Sequence, residues 1–396
     1  MEISTRDLTM QESPIRKLAP YADSARKEGI KVYHLNIGQP DIKTPSAMLR
    51  AYSEVPEIIA YGPSNGLPEY REKLATYYSA ISRGISSDNV FITTGGSEAI
   101  IFTLMSALSP GDEVMIPEPF YTNYNGFAAM AGVSVVPVTT TIDDGFHLPS
   151  IKVFEESLTD KTRAIMFSNP GNPTGVVFSR EELEELVVFA KKHNLYLISD
   201  EAYREFTYGE REAISILEFN GIDENAILID SVSKRYSACG ARIGWIITRN
   251  TKLLNLILRF GQARLCPPTV DQLAALAAMD TPSSYFEEVI KEYKDRRDFA
   301  FEELLNIPGV IAKKPEGAFY MVLALPVKDA DDFAKWLLTD FRLDGETTMV
   351  APAGGFYSTK GLGKNQIRLA YVLKKADLKK AINIIREGLK VYPGRI

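Results

Sequence analysis

Short apolar runs rich in β-branched residues alternate with helical patterns between about residues 90 and 250. Each run is bounded by polar residues, Gly or Pro, which is typical of a buried strand. The predicted strands lie at residues 90–94, 113–116, 164–168, 195–199, 226–229 and 243–248. Such alternation predicts an α/β protein with a parallel sheet that is covered by helices on both faces.

Length and a later change of pattern indicate two domains. At 396 residues the chain can bury more than one hydrophobic core. A long, charged amphipathic helix is predicted at 285–306, and further strands and helices follow it. We therefore expect an arm and part of a small domain at 1–45, a large domain at 46–280, and a small α+β domain at 281–396.

Composition excludes several kinds of protein. The net charge of -6 argues against binding nucleic acid or anionic lipid through bulk charge. Two cysteines and three isolated histidines predict neither a disulfide framework nor a metal site. No long apolar run is present, so we expect no membrane segment and a cytoplasmic location. The chemistry must then come from Lys, Arg, Tyr, Asp and Asn together with a cofactor.

Lys234 is predicted to lie in the loop just past the strand at 226–229. Open α/β sheets bind ligands there, and a desolvated lysine is a nucleophile. Ser231 and Arg242 add anion-binding groups nearby, so the segment suits an imine-forming, phosphate-bearing cofactor such as pyridoxal phosphate. A lone lysine is more often a solvated surface charge. The segment also matches Ser-x-x-Lys of penicillin-binding proteins, but the accompanying Ser-Asp-Asn lies upstream and no Lys-Thr-Gly occurs, so that match is chance.

Gly95, Gly96 and Ser97 lie between a predicted strand and a predicted helix at 100–108. A helix N-terminus offers free N–H groups to a phosphate, although an ordinary strand-to-helix turn favours the same residues. Gly38 and Tyr61 lie in loops rich in Gly and Pro. Gly38 serves either the turn or the close approach of a ligand. Tyr61 alone indicates only a hydrophobic contact.

Four further residues stand out by their surroundings. Tyr121 follows a proline turn and can stack on a ring or pack in the core. Asn172 lies in a loop that two prolines and two glycines make rigid. Asp200 ends an apolar strand and therefore needs a cationic or N–H partner. Arg368 lies inside an apolar strand, so its guanidinium must meet an acid or an anionic ligand.

Taken in order, these segments resemble the class I/II aminotransferases, which are fold-type-I pyridoxal-phosphate enzymes. The resemblance runs from about residue 35 to 386 and is most specific in two motifs, Asn-Pro-x-Asn-Pro-Thr-Gly and Ser-x-Ser-Lys with an arginine eight residues on. It implies a large domain with a mostly parallel sheet of the seven-stranded type and a smaller α+β C-terminal domain. Pyridoxal phosphate is the implied cofactor.

The resemblance also implies roles around the cofactor ring. Lys234 would form the Schiff base, and Asp200 would pair with the protonated ring nitrogen, which makes the ring an electron sink. Tyr203 and Asn172 would donate to its phenolic oxygen, and Tyr121 would stack on its face.

Further implied contacts concern the phosphate and the substrate. The phosphate would be held by a set of amides, hydroxyls and one guanidinium: Gly95, Gly96, Ser97, Ser231 and Arg242. Tyr61 matches a residue that reaches the partner subunit's phosphate, which implies a homodimer with shared active sites. Arg368 would bind the substrate α-carboxylate, with Gly38 and Asn172 beside it.

The implied reaction is a ping-pong transfer of an amino group from an L-amino acid to a 2-oxo acid, with Lys234 moving the Cα proton. Aspartate and 2-oxoglutarate are the expected pair. We hypothesise that Arg264 reads a distal carboxylate across the dimer, although an arginine at an interface is more often in a structural ion pair. Gly240-Ala241 stands where the family commonly has Gly-Trp. The alternative within the fold is a β-eliminating C–S lyase. The alternative from another class is a regulator with an aminotransferase-like fold. Such a regulator usually carries an added DNA-binding segment, and we expect no room for one in 396 residues.

Overall fold

The computed structural model describes residues 3–4, 6, 9–209 and 211–396. Residues 1, 2, 5, 7 and 8 of the predicted arm lie outside the described residues, as does residue 210. The strands are β1 Lys31–His34, β2 Val90–Thr93, β3 Glu113–Glu118, β4 Ser134–Thr139, β5 Thr162–Ser168, β6 Tyr196–Asp200, β7 Ala226–Ser231, β8 Gly244–Ile247, β9 Ile311–Ala312, β10 Tyr320–Ala324, β11 Glu346–Met349, β12 Ala351–Pro352 and β13 Gln366–Ala370.

The helices lie between these strands and before them. They are α1 Ala19–Lys27, α2 Ser46–Ala51, α3 Pro68–Ser79, α4 Gly95–Ala107, α5 Asn123–Ala131, α6 Ile151–Ser157, α7 Arg180–His193, α8 Val232–Arg235, α9 Thr251–Arg264, α10 Thr269–Ala278, α11 Ser283–Leu305, α12 Ala330–Thr339 and α13 Lys375–Val391. None of the helices in the described part of the chain combines the length and apolar character needed to cross a bilayer.

Seven strands form the large sheet in the order β2-β8-β7-β6-β5-β3-β4. Pairs among β7, β6, β5, β3 and β4 are parallel, whereas β8 runs antiparallel to both β7 and β2. The fold class is therefore confirmed: the sheet is mostly parallel. The strand after Lys234 runs antiparallel because its connection from β7 holds only the one-turn helix α8 and a 3-10 turn at Cys239–Ala241, whereas a parallel return needs a full crossover.

Side chains that alternate along each strand fill two separate cores. On β5, Ile165 and Phe167 face the core that includes α3, α7 and α10, while Ala164 and Met166 face the core that includes α4, α5 and α9. This is the two-residue period of a strand that is buried on both faces. The predicted double covering by helices is present.

A second, smaller set of elements packs beside the large sheet. It contains the four-stranded sheet β12-β13-β10-β9, the parallel pair β1-β11 and the helices α11, α12 and α13. N-terminal residues share its core: Leu18 and Leu35 are buried there with side chains of α13. The domain boundaries at residues 45 and 280 remain a proposal that this packing supports.

Three local predictions need correction. Lys234 lies in the helical turn α8 and not in a loop, because the Ser231 side chain accepts a hydrogen bond from the Ser233 N–H and caps that turn. Helix α4 begins at Gly95 and not at residue 100, because Gly95 takes a left-handed φ of 78° that bends the chain directly into the helix. Strand β3 continues to Glu118, since its pairing with β4 persists through that residue.

Candidate active site

A cavity of about 700 Å³ opens where β5, β6 and β7 reach their carboxyl ends, the edge at which open α/β sheets bind ligands. Most of the predicted site residues line it. They are Gly38, Gly96, Ser97, Tyr121, Asn172, Asp200, Tyr203, Ser231, Lys234, Arg242 and Arg368. The structure thus brings together residues of the large sheet and residues of the smaller set of elements, such as Arg368 on β13. Gly95 lies directly behind the wall, and Tyr61 lies outside the cavity.

The amine of Lys234 points into this cavity. Its Nζ donates to the Gly38 carbonyl oxygen at 2.8 Å and lies 3.6 Å from Cys239 Sγ. Its charge also lies 5.9 Å from the centre of the Phe319 ring. In the described part of the chain no carboxylate forms an ion pair with this amine. A carbonyl is a weak partner, so the amine is available to bond to a ligand.

Asp200 is a largely buried carboxylate that is held by neutral donors only. Tyr124 Oη donates to its Oδ2 at 2.7 Å, and the Ala202 N–H donates to its Oδ1 at 3.2 Å. Burial raises the pKa of Asp200 to about 6, and these two hydrogen bonds work against that rise. The expected N–H partner is therefore present. Among the described residues no Lys or Arg forms an ion pair with Asp200. The carboxylate can therefore pair with a cationic group of a ligand in the cavity.

The turn at the start of α4 lies close to Arg242 and β8. A Cβ at Gly95 would overlap the Arg242 guanidinium, and a Cβ at Gly244 would lie 2.6 Å from the Gly95 carbonyl carbon. Glycine at both positions therefore allows β8 and Arg242 to approach the helix N-terminus. Its N–H groups, with Ser97 and Ser231 on the same wall, form a positively polarised pocket for an anion.

Arg368 is 2% exposed and lies on β13, the strand predicted for it. Its Nη1 donates to Asn172 Oδ1 at 3.1 Å and its Nη2 to the Asn36 carbonyl oxygen at 2.5 Å. Its buried Nε has no hydrogen-bond partner among the residues that the structure describes, and burial lowers the pKa of the guanidinium. No acid pairs with it among the described residues. The anion that the sequence predicts as the partner of Arg368 must therefore come from a ligand.

Aromatic residues surround the space between these groups. Tyr203 Oη and Tyr320 Oη share a hydrogen bond of 2.8 Å, and the Arg368 guanidinium lies 4.5 Å from the Tyr320 ring centre. Tyr121 meets Tyr124 edge to face with ring centres 5.5 Å apart. These contacts hold Tyr121 and Tyr203 in place on the cavity wall.

Two predicted residues lie elsewhere. Tyr61 is 82% exposed, so nothing in its own chain covers it. Arg264, the last residue of α9, donates from Nη2 to the Ser64 carbonyl oxygen at 3.1 Å and lies 3.6 Å from Glu98 Oε2. It does not line the cavity.

Sequence reasoning assigned no role to three residues that hold the site together: Asn36, Tyr124 and Tyr320. Tyr124 is the second tyrosine of the Pro-x-Tyr-x-x-Tyr motif, three residues after Tyr121. This repeated tyrosine was the one sequence signal that could have assigned it to the site. Nothing in the sequence marks the Asn36 carbonyl, because its contact with Arg368 joins residues 332 positions apart.

These features fit pyridoxal phosphate. The buried Asp200 carboxylate without a cation suits a protonated ring nitrogen, and the glycine turn beside Arg242 suits a phosphate. The half-buried Lys234 amine between them suits the aldehyde. Arg368, with its unpartnered Nε, suits the carboxylate of an amino acid. Fold and site together define an enzyme of the fold-type-I pyridoxal-phosphate class.

Comparisons with known proteins specify the family. The model of aminotransferase class I and II matches residues 30–385. An aspartate aminotransferase of Pyrococcus horikoshii is 30% identical over 395 residues, which cover 98% of this chain and 97% of the relative. Solved structures of aspartate aminotransferase from Thermotoga maritima (31% identity, TM-score 0.90) and alanine aminotransferase from Pyrococcus furiosus (30%, 0.89) each cover 98% of this chain, and the chain covers 100% of theirs.

The chain therefore belongs to the class I and II aminotransferases. It is a pyridoxal-phosphate-dependent transaminase, and the family, fold, activity and cofactor expected from the sequence are confirmed. Its substrates are an amino acid and a 2-oxo acid.

Proposed function

We propose that the enzyme transfers the amino group of L-aspartate to 2-oxoglutarate, and that it acts as a homodimer with shared active sites. The observation that carries the reaction is the unpaired, buried Arg368 facing the same cavity as Lys234 and Asp200. Aspartate is the substrate in the names of several relatives of similar length. A relative named for alanine is as similar in fold, so aspartate is the part of the proposal that most needs a test.

The chain's own residues have the following proposed roles. Pyridoxal phosphate, when bound, supplies an aldehyde that bonds to amines and a ring that accepts the electron pair of the substrate Cα–H bond. Lys234 would hold the aldehyde and, once the substrate amine has replaced it there, its free amine would move the Cα proton. Asp200 keeps the ring nitrogen protonated, while Tyr203 and Asn172 donate to the phenolic oxygen.

The remaining residues position the two reactants. Tyr121 stacks on the ring, and the α4 N-terminus with Ser231 and Arg242 holds the phosphate. Arg368 orients the substrate α-carboxylate by paired N–H donors, with Asn172 fixing the guanidinium from behind. Because Arg368 is only 2% exposed, few water molecules compete with the carboxylate for its guanidinium.

An apolar surface supports the homodimer. Ile58, Ile59 and Tyr61 are 81%, 63% and 82% exposed and adjacent in sequence, and Leu265 is 53% exposed. Arg264 connects the two segments through the Ser64 carbonyl. Such a group of exposed apolar side chains favours a partner subunit. The cytoplasmic location and the lack of nucleic-acid or membrane partners stay predictions.

Product analysis tests the activity. Purified enzyme with added pyridoxal phosphate, L-aspartate and 2-oxoglutarate should yield oxaloacetate and glutamate in equal amounts. Lys234→Ala should lose at least about 100-fold in rate, the lower end for removal of a general base. Release of ammonia and pyruvate from a thioether amino acid without an oxo acid would instead establish the C–S lyase alternative. Borohydride reduction that labels a lysine other than Lys234 would refute the assigned role.

A further inference from the structure

Five basic side chains line the cavity: Arg16, Arg26, Lys234, Arg242 and Arg368. Four of them have a partner or a proposed ligand. Arg26 pairs with Asp23, Lys234 and Arg242 have the cofactor as their proposed ligand, and Arg368 has the substrate α-carboxylate. Among the described residues Arg16 has neither, so its charge is available to a second anionic group in the same cavity.

Packing holds Arg16 on the wall that also carries Arg368. A Cβ at Gly355 would overlap Pro14, and Ile15 packs against the small cluster that contains Phe356. The Phe356 ring centre lies in turn 4.9 Å from the Arg368 guanidinium. Through these contacts, the two residues before Arg16 are anchored next to the proposed α-carboxylate site.

The electrostatic surroundings place Arg16 near the ring-stacking residue as well. Burial raises the pKa of Tyr121 to about 12, and the charges of Arg368 and Arg16 both act in the opposite direction. Arg16 itself is exposed to solvent, so a substrate can reach it. In the described part of the chain no carboxylate forms an ion pair with it, whereas the next residue, Lys17, pairs with Asp331 on α12.

We propose that Arg16 is a specificity-determining residue that binds the distal carboxylate of a dicarboxylic substrate, while Arg368 binds the α-carboxylate. This rests on the proposed aspartate and 2-oxoglutarate activity. It assigns to Arg16 the role hypothesised for Arg264. Within its own chain Arg264 already pairs with Glu98 and lies outside the cavity, whereas Arg16 lines the cavity and forms no ion pair with any described residue.

Single-turnover kinetics with two donors tests the assignment. Arg16→Met should lower the specificity constant for L-aspartate by about 10- to 100-fold, the usual range for a lost charge-assisted hydrogen bond, and that for L-alanine less than about twofold. Arg16→Lys should recover part of the loss. Lys17→Met is the matched control, because it removes the adjacent positive charge on a side chain directed at α12, and it should leave both donors unaffected.

Equilibrium binding supplies a readout that needs no turnover. The affinity of the cofactor-loaded enzyme for succinate, followed by the cofactor's absorbance, should fall in Arg16→Met, while that for propionate, which has one carboxylate, should not. Equal losses for both acids, or a selective loss in Arg264→Ala but not in Arg16→Met, would overturn the proposal. If the wild-type enzyme used neither aspartate nor 2-oxoglutarate yet bound succinate through Arg16, the proposed function would fail and this assignment would stand.

Discussion

At the scale of single residues, Asp200 shows how the cofactor and the fold depend on each other. Without a cation beside it, its buried carboxylate is held by one hydroxyl and one N–H, and burial raises its pKa to about 6. The raised pKa means that the folded protein without cofactor holds the proton more tightly than the unfolded chain does. The stability that this proton provides is complete below pH 3.8 and is lost as the pH rises through about 6.

We predict that Asp200→Asn stabilises the cofactor-free protein at neutral pH, because it removes a buried charge. A shift from 3.8 to about 6 corresponds to about 3 kcal/mol of unfolding free energy at pH 8, as an upper value. Denaturant unfolding between pH 5 and 8 should show the difference from wild type growing with pH. Added pyridoxal phosphate should reverse the order of stability. A difference that stays constant with pH would contradict this account.

At the scale of elements, the start of α4 combines a helix N-terminus with a strained backbone position. Gly95 has a φ of 78°, and the position that a Cβ would take at this residue is occupied by the Arg242 guanidinium. Gly244 on β8 permits the same close approach from the other side. The phosphate pocket therefore depends on the absence of two side chains.

We predict that Gly95→Ala weakens binding of pyridoxal phosphate, because the new Cβ displaces Arg242 in addition to straining the backbone. The strain alone costs about 1–2 kcal/mol. Gly111→Ala is the control: its φ is 93° and a Cβ there meets nothing within 4 Å. Both variants should lose similar stability without cofactor, but titration with pyridoxal phosphate should show weaker affinity only in Gly95→Ala. Equal affinities would mean that Arg242 does not hold the phosphate.

At the scale of the whole molecule, Tyr61 and its apolar neighbours face away from the site of their own subunit. Exposure of 82% leaves Tyr61 free to contact a second copy. If the partner's site receives it, each active site draws on two chains, and defects in different subunits can compensate for each other.

We predict that mixing denatured Tyr61→Ala and Lys234→Ala subunits and refolding them together restores activity. With random pairing, half of the dimers are mixed and each keeps one complete site, so about one quarter of wild-type activity should return. Lys234→Ala mixed with Asp200→Ala is the control and should show no recovery, since both residues belong to the same subunit's site. If the Tyr61 mixture behaves like this control, Tyr61 acts in its own subunit or not at all.

The amino-acid sequence by itself was sufficient for six of the seven strands of the large sheet, for its covering by helices and for the family, but it did not reveal β4. The apolar runs at 164–168 and 226–229, each bounded by polar residues, are local patterns, and both are strands in the structure. Eleven predicted site residues also line one cavity, and those that follow β5, β6 and β7 meet there because parallel strands end at the same edge. Their individual roles remain proposals.

Only the tertiary structure decided the features that depend on contacts between distant residues. The direction of β8, the hydrogen bond from Tyr124 to Asp200, and the contact between Asn36 and Arg368 have no local pattern. Arg16 and Arg264 differ in the same way: both are arginines in ordinary surroundings, and packing alone directs one to the cavity and the other to Glu98. Local periodicity sets secondary structure, whereas the partner of a charged side chain is set by long-range packing.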